Sequence, residues 1–133
     1  MSKTVLLIDD QETIFEVFRD LLQPLGCALA WAPSGGEGVR YLQTTPCDIV
    51  FLDLNLGGGM DGVETLRRMH AANIRSRVYI ITGFYEEYAD GLRDLASREK
   101  VSFEILRKPF DLRRIRDIVA DTPGPAESEV RNE

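Results

Sequence analysis

The chain has 133 residues, of which 44% are apolar and 29% charged, and carries a net charge of −6. That length allows one domain with one substantial core, and the composition excludes wholesale disorder. The acidic balance excludes nonspecific binding to nucleic acid or to an anionic membrane surface, both of which need a basic field.

No apolar run approaches the roughly 20 residues of a membrane span, and the N-terminus lacks the apolar stretch of a signal peptide. The expectation is a soluble cytoplasmic protein. Cys27 and Cys47 form no metal or redox spacing motif and are expected as small core or near-core residues in a reducing compartment. The single histidine, His70, cannot build a metal cluster.

Short β-rich runs alternate with amphipathic stretches along the chain. A first strand is predicted over Thr4–Asp9, followed by a helix marked by Ile14, Val17, Phe18, Leu21, Leu22 and Leu25. A second strand over Cys27–Trp31 leads to a weaker helix, capped by Ser34 and marked by Val39 and Leu42. Trp31 is expected to serve packing. The third strand, Asp48–Asp53, precedes a helix lined by Val63, Leu66 and Met69, with His70 on its flank. The fourth, Arg77–Ile81, precedes a helix on Tyr88, Leu92 and Leu95. The fifth, Phe103–Leu106, runs through Lys108-Pro109 to a helix capped by Asp111 and marked by Leu112, Ile115 and Val119. Arg113, Arg114 and Arg116 on that helix are read as a solvated face rather than a partner patch.

The first, third and fourth strands are nearly continuous in Val, Ile, Leu, Phe and Tyr, as parallel strands covered on both faces should be. Strict βα alternation predicts an α/β fold, a doubly wound five-stranded parallel sheet of flavodoxin-like order 2-1-3-4-5. Its switch point lies between strands 1 and 3, and ligands bind there outside the carboxyl ends of the strands. Residues 1–120 form the expected domain. Residues 121–133 lack apolar periodicity and read as a flexible tail or linker.

Asp9 and Asp10 end the first apolar run and Asp53 ends the third, so the topology brings three carboxylates to the switch point. Like charges held that close repel unless a cation compensates them. The economical reading is a divalent-metal pocket with one carboxylate free to act as a nucleophile. Thr82-Gly83 and Lys108-Pro109 fall at the ends of the fourth and fifth strands.

Taken in order, Asp9/Asp10, Asp53, Thr82-Gly83 and Lys108-Pro109 resemble the receiver domain of two-component response regulators, over about residues 3–120. The resemblance implies that Asp53 is the phospho-acceptor, taking a phosphoryl group from a sensor histidine kinase or a histidine phosphotransfer protein. It implies Mg²⁺ as cofactor, held directly by Asp10 and Asp53, by Asp9 mainly through water, and by the backbone carbonyl of Asn55. It makes Thr82 the hydroxyl that moves to the phosphoryl oxygen and Lys108 the cation that pairs first with Asp53 and then with the phosphoryl group. The implied output is a signalling switch that catalyses only its own phosphorylation and dephosphorylation. It would act on a downstream protein target or an output domain outside this chain, as a monomer or a weak phosphorylation-dependent dimer. Met1 just before the first strand suggests an N-terminal receiver, either standing alone or cut from a longer regulator at its linker.

Two departures from the family pattern stand out. Leu54-Asn55-Leu56-Gly57-Gly58-Gly59-Met60 replaces a shorter loop that usually contains a proline, and Ile105 occupies the usual switch aromatic position. An aspartyl-phosphate hydrolase is disfavoured because Asn55 stands where such enzymes carry a second Asp. A redox flavodoxin is disfavoured because Gln11-Glu12-Thr13, not a phosphate-binding loop, follows strand 1. The remaining alternative is a degenerate receiver acting as a phosphorylation-independent interaction module.

Overall fold

Val5-Leu6-Leu7-Ile8 and Ile49-Val50-Phe51-Leu52 are buried along their whole length, because both runs lie mid-sheet with helices on either face. The structure, a computed structural model, describes residues 3–109 and 111–122. Five strands, β1 (Thr4–Ile8), β2 (Ala28–Ala32), β3 (Ile49–Asp53), β4 (Arg77–Thr82) and β5 (Glu104–Arg107), pair in parallel in the order β2-β1-β3-β4-β5. Five helices alternate with them: α1 (Glu12–Leu22), α2 (Gly35–Thr44), α3 (Gly62–Ala71), α4 (Tyr85–Arg98) and α5 (Leu112–Asp121). This is the predicted doubly wound α/β fold, with the predicted strand order.

Successive strand side chains point to opposite faces, and β1 divides the core accordingly. Val5 and Leu7 join Phe18 and Leu22 of α1 and Ile115, Ile118 and Val119 of α5. Leu6 and Ile8 join Leu42 of α2, Leu66 and Met69 of α3, and Leu92 and Leu95 of α4. Two helices therefore cover one face and three the other. No helix among the described residues is long and apolar enough to cross a membrane.

The predicted caps form. The Ser34 hydroxyl accepts the Glu37 N–H at 3.2 Å, and Asp111 Oδ1 accepts the Arg113 N–H at 2.9 Å. Asp61, not foreseen as a cap, does the same for α3 by accepting the Glu64 N–H at 2.9 Å. Cys47 is buried and Cys27 half-buried, in keeping with core and near-core thiols. Arg113, Arg114 and Arg116 are exposed and each lies within 4 Å of an exposed acid: Asp111, Glu104 and Asp117 respectively.

Three residues assigned to buried helical stripes are exposed: Val17, Leu25 and Leu112, at 40%, 39% and 42%. Helix α1 stops at Leu22, and Pro24 sits in a short 3-10 turn, Gln23–Leu25, which takes Leu25 off the stripe. Val17 and Leu112 lie beside the true inward positions, Phe18 and Ile115. Strands β2 and β4 also run one residue further than expected, to Ala32 and Thr82. At the C-terminal end α5 closes at Asp121, and the Thr122 hydroxyl donates to the Ile118 carbonyl at 2.7 Å. The rest of the expected tail lies outside the described residues.

Candidate functional site

Ile8 pairs with Leu52 across β1 and β3, so Asp9 and Asp53, the next residues on each, emerge side by side at the carboxyl edge of the sheet. One carboxylate oxygen from each of Asp9, Asp10 and Asp53 lies within 4.8 Å of the other two. Asp9 is fully buried, Asp53 is 5% exposed, and Asp10 is exposed. One oxygen of Asp9 accepts the Gln11 N–H at 2.9 Å, while the other, Oδ2, is buried and has no hydrogen-bond partner among the described residues. Asp53 Oδ1 accepts the Asn55 N–H at 3.2 Å, and Asp10 Oδ2 accepts the Gly57 N–H at 3.2 Å.

Burial pushes the Asp9 carboxyl up to about 6, helped by the nearby charges of Asp53 and Asp10 and opposed by the Gln11 N–H and Lys108. Asp53 moves in the same direction, again chiefly through burial, with the Lys108 charge and the Asn55 N–H pulling it back. Two buried acids and a third at their side form a site whose electrostatic strain a cation relieves.

Thr82 and Lys108 flank this cluster from the next two strands. Asp53 pairs with Ile81 across β3 and β4, so Thr82 stands one step beyond it. Its hydroxyl is buried and accepts the Phe84 N–H at 2.9 Å, which leaves the O–H proton for another acceptor. Lys108 follows β5 directly. A Cβ on Gly83 would meet Lys108 Cβ at 3.8 Å and Cδ at 3.9 Å, so the lysine stem runs alongside that glycine.

The loop after β3 is shaped by its glycines. Gly58 and Gly59 take φ values of 81° and 99°, in the left-handed region that favours glycine. At Gly62 an added Cβ would lie 2.5 Å from Leu54 Cα and 2.6 Å from the Asp53 carbonyl oxygen, so only glycine lets α3 start this close to β3.

All six predicted site residues, Asp9, Asp10, Asp53, Asn55, Thr82 and Lys108, fall at one edge of the sheet. Ile105, at the departure point in β5, packs half-buried against the core shared by α2, α3 and α4. Beside it, the Arg107 guanidinium lies 4.2 Å over the Tyr85 ring. Trp31 was expected to serve packing alone, and here the structure adds a polar contact. Its indole N–H donates to the Asp9 carbonyl oxygen at 2.7 Å while its ring stacks on Phe15. The available signal was the position of this lone tryptophan near the end of a strand that neighbours the acidic turn.

The donor set fits Mg²⁺. It offers hard oxygens, few of them and at one edge open to water, which suits an ion that keeps several of its own waters. The orphaned Asp9 Oδ2 and the raised carboxyls of Asp9 and Asp53 are what a cation-binding site looks like before charge compensation.

Residues 5–120 match the family described as response regulator receiver domain. The chain is 31% identical over 119 residues to sporulation initiation phosphotransferase F of Bacillus subtilis, an alignment covering 90% of this chain and 92% of that protein. It is 34% identical over 134 residues to the transcriptional regulatory protein QseB of Escherichia coli O157:H7, covering 96% of this chain. It spans only 58% of the length of that relative. Among solved structures, a receiver domain from Methylobacillus flagellatus superposes with a TM-score of 0.74 at 24% identity, covering 92% of this chain and all of that one. The receiver domain of sensor histidine kinase PA1611 from Pseudomonas aeruginosa, with a magnesium ion coordinated in its active-site cleft, gives 0.73 at 20% identity, covering 92% and 98%. At these identities the two structures establish the fold, and the family match and the relatives establish more: this chain belongs to the response regulator receiver domains, the switch modules of two-component signalling.

Proposed function

We propose that the chain is a phospho-accepting switch in which Asp53 takes a phosphoryl group from the phosphohistidine of a sensor kinase or phosphotransfer protein. The observation that carries this reading is the convergence of the Asp9, Asp10 and Asp53 carboxylates within 4.8 Å, with Thr82 and Lys108 at the two adjoining strand ends. An Asp53 carboxylate oxygen attacks phosphorus and the P–N bond of the donor breaks. The electron pair returns to the imidazole nitrogen, which takes up a proton, and the product is an acyl phosphate. Phosphoryl transfer asks little of the protein beyond in-line positioning and positive charge on the phosphoryl oxygens.

Each neighbour has a task in that step. Asp9, Asp10, Asp53 and the Asn55 carbonyl are the candidate Mg²⁺ ligands, and the bound ion would supply positive charge to the phosphoryl oxygens. Lys108, already close enough to lower the Asp53 pKa, supplies a second cation. The Thr82 hydroxyl donates to the new phosphoryl oxygen, which draws the β4–α4 junction toward Asp53 and changes the surface that a protein target or an output domain would meet. The acyl phosphate later yields to water at phosphorus, which regenerates the carboxylate. The switch runs through Thr122, two residues beyond the expected boundary at 120, because Asp121 closes α5 and the buried Thr122 hydroxyl donates to the Ile118 carbonyl.

A degenerate receiver used only for docking would have no need of this complete set, so the phosphorylation-dependent reading is favoured. Borohydride reduction of the phosphorylated protein tests it, since an acyl phosphate on aspartate is reduced to homoserine. Peptide mapping is expected to find homoserine at position 53 and nowhere else; homoserine at position 9 or 10 would overturn the assignment.

A further inference from the structure

We infer that Trp31 is a positioning residue of the metal pocket: its indole N–H fixes the main chain of the Asp9-Asp10 turn, and divalent-cation affinity depends on that bond. This rests on the reading that Asp9 and Asp10 hold Mg²⁺. Pairing between β1 and β2 ends at Ile8 and Ala32, and beyond Ala32 the chain turns through Pro33 into the Ser34 cap of α2. The Asp9 N–H still reaches the Ala32 carbonyl, at 3.2 Å. The Asp9 carbonyl has run past the strand, and the Trp31 indole supplies the donor that the ladder no longer does, at 2.7 Å.

The indole is itself held in plane. Its ring stacks on Phe15 of α1 with centroids 5.2 Å apart and an interplanar angle of 12°. Helix α1 begins at Glu12, two residues after Asp10, so β2 and α1 bracket the acidic turn from both sides. A packed indole N–H takes an acceptor wherever one is in reach, and here that acceptor is the main chain of a buried acid at the pocket.

The consequence is preorganisation. Carboxylates that repel one another must be held together before a cation arrives, and any freedom left in the turn is lost at binding, weakening affinity. Without the indole donor the Asp9 carbonyl has to find water, and the turn gains that freedom.

The test replaces Trp31 with its benzothiophene isostere, in which sulfur stands for the N–H and the stacking area is kept, and with phenylalanine as Trp31→Phe. Mg²⁺ binding to metal-free protein is measured by calorimetry. Loss of one hydrogen bond is expected to weaken the dissociation constant by about 3- to 10-fold in both variants. In the wild-type chain the single indole N–H resonance is expected to move during the Mg²⁺ titration with the calorimetric midpoint, which a purely structural tryptophan would not do. Wild-type binding with unchanged affinity in the isostere, or an indole resonance that stays still, overturns the role of Trp31 alone. A wild-type chain that binds no Mg²⁺ overturns the metal site and this inference together.

Discussion

The main-chain N–H of Lys108 donates to the carbonyl oxygen of Thr82 at 2.7 Å, one step beyond the final β4–β5 pair of Thr82 and Arg107. The hydroxyl and the ammonium that flank Asp53 are therefore tied through a single backbone bond. In the proposed switch, movement of Thr82 toward a phosphoryl group would carry the start of the Lys108-Pro109 segment with it.

Thr82→Ala is expected to leave phosphorylation of Asp53 intact and to uncouple it from the surface. A hydrogen bond to a charged group contributes about 1.5–3 kcal/mol, so the switching equilibrium should weaken by roughly 10- to 100-fold. Amide shifts at Phe84 and Tyr85 on phosphorylation report this directly. They should shrink to a fraction of their wild-type size in the variant; full-sized shifts would contradict the role given to Thr82.

Removal of metal should have a pH signature. The folded Asp9 carboxyl sits at about 6, above its ordinary value of 3.8, so the folded state binds more protons than the unfolded state between those values. Stability of the metal-free protein therefore falls as pH rises from about 4 to about 6, by no more than about 3 kcal/mol from this residue. Asp53 shifts in the same direction and adds to the slope. Urea midpoints in EDTA and in Mg²⁺ should converge near the acid end and separate as pH rises through the window, with Mg²⁺ protecting. Parallel curves would contradict the shared cation site.

Gly62→Ala should damage the fold close to the site. The two nearest of the new Cβ's three close contacts would be backbone, Leu54 Cα at 2.5 Å and Asp53 O at 2.6 Å, and backbone cannot rotate aside. Helix α3 must retreat, at a cost of about 1–3 kcal/mol, which lowers the melting temperature by several degrees. Gly57→Ala is the control: its Cβ would meet only Asp10 Oδ2, at an ordinary 3.5 Å, and its melting temperature should stay near the wild-type value.

The sheet was legible because its strands are buried on both faces, so Val5 to Ile8 and Ile49 to Leu52 read as unbroken apolar runs. The site was legible because the doubly wound topology places strand ends together, and Asp9, Asp53, Thr82 and Lys108 each mark one. What stayed hidden has a common cause. Helical periodicity gives a stripe without its edges, so Val17 and Leu112 were indistinguishable from their buried neighbours. The bond from Trp31 to the Asp9 carbonyl joins residues 22 positions apart and depends on a rotamer, which no local pattern encodes. The Asp61 cap was obscured by the three glycines before it, whose loop length hid where α3 begins.

That Asp53 accepts a phosphoryl group in a Mg²⁺-dependent reaction is tested most directly by intact mass after incubation with acetyl phosphate. The wild-type chain should gain one phosphoryl group with Mg²⁺ and none with EDTA, and Asp53→Asn should gain none in either. An adduct of equal yield in Asp53→Asn would contradict the assignment, as would a wild-type chain that forms no adduct and fails to bind beryllofluoride.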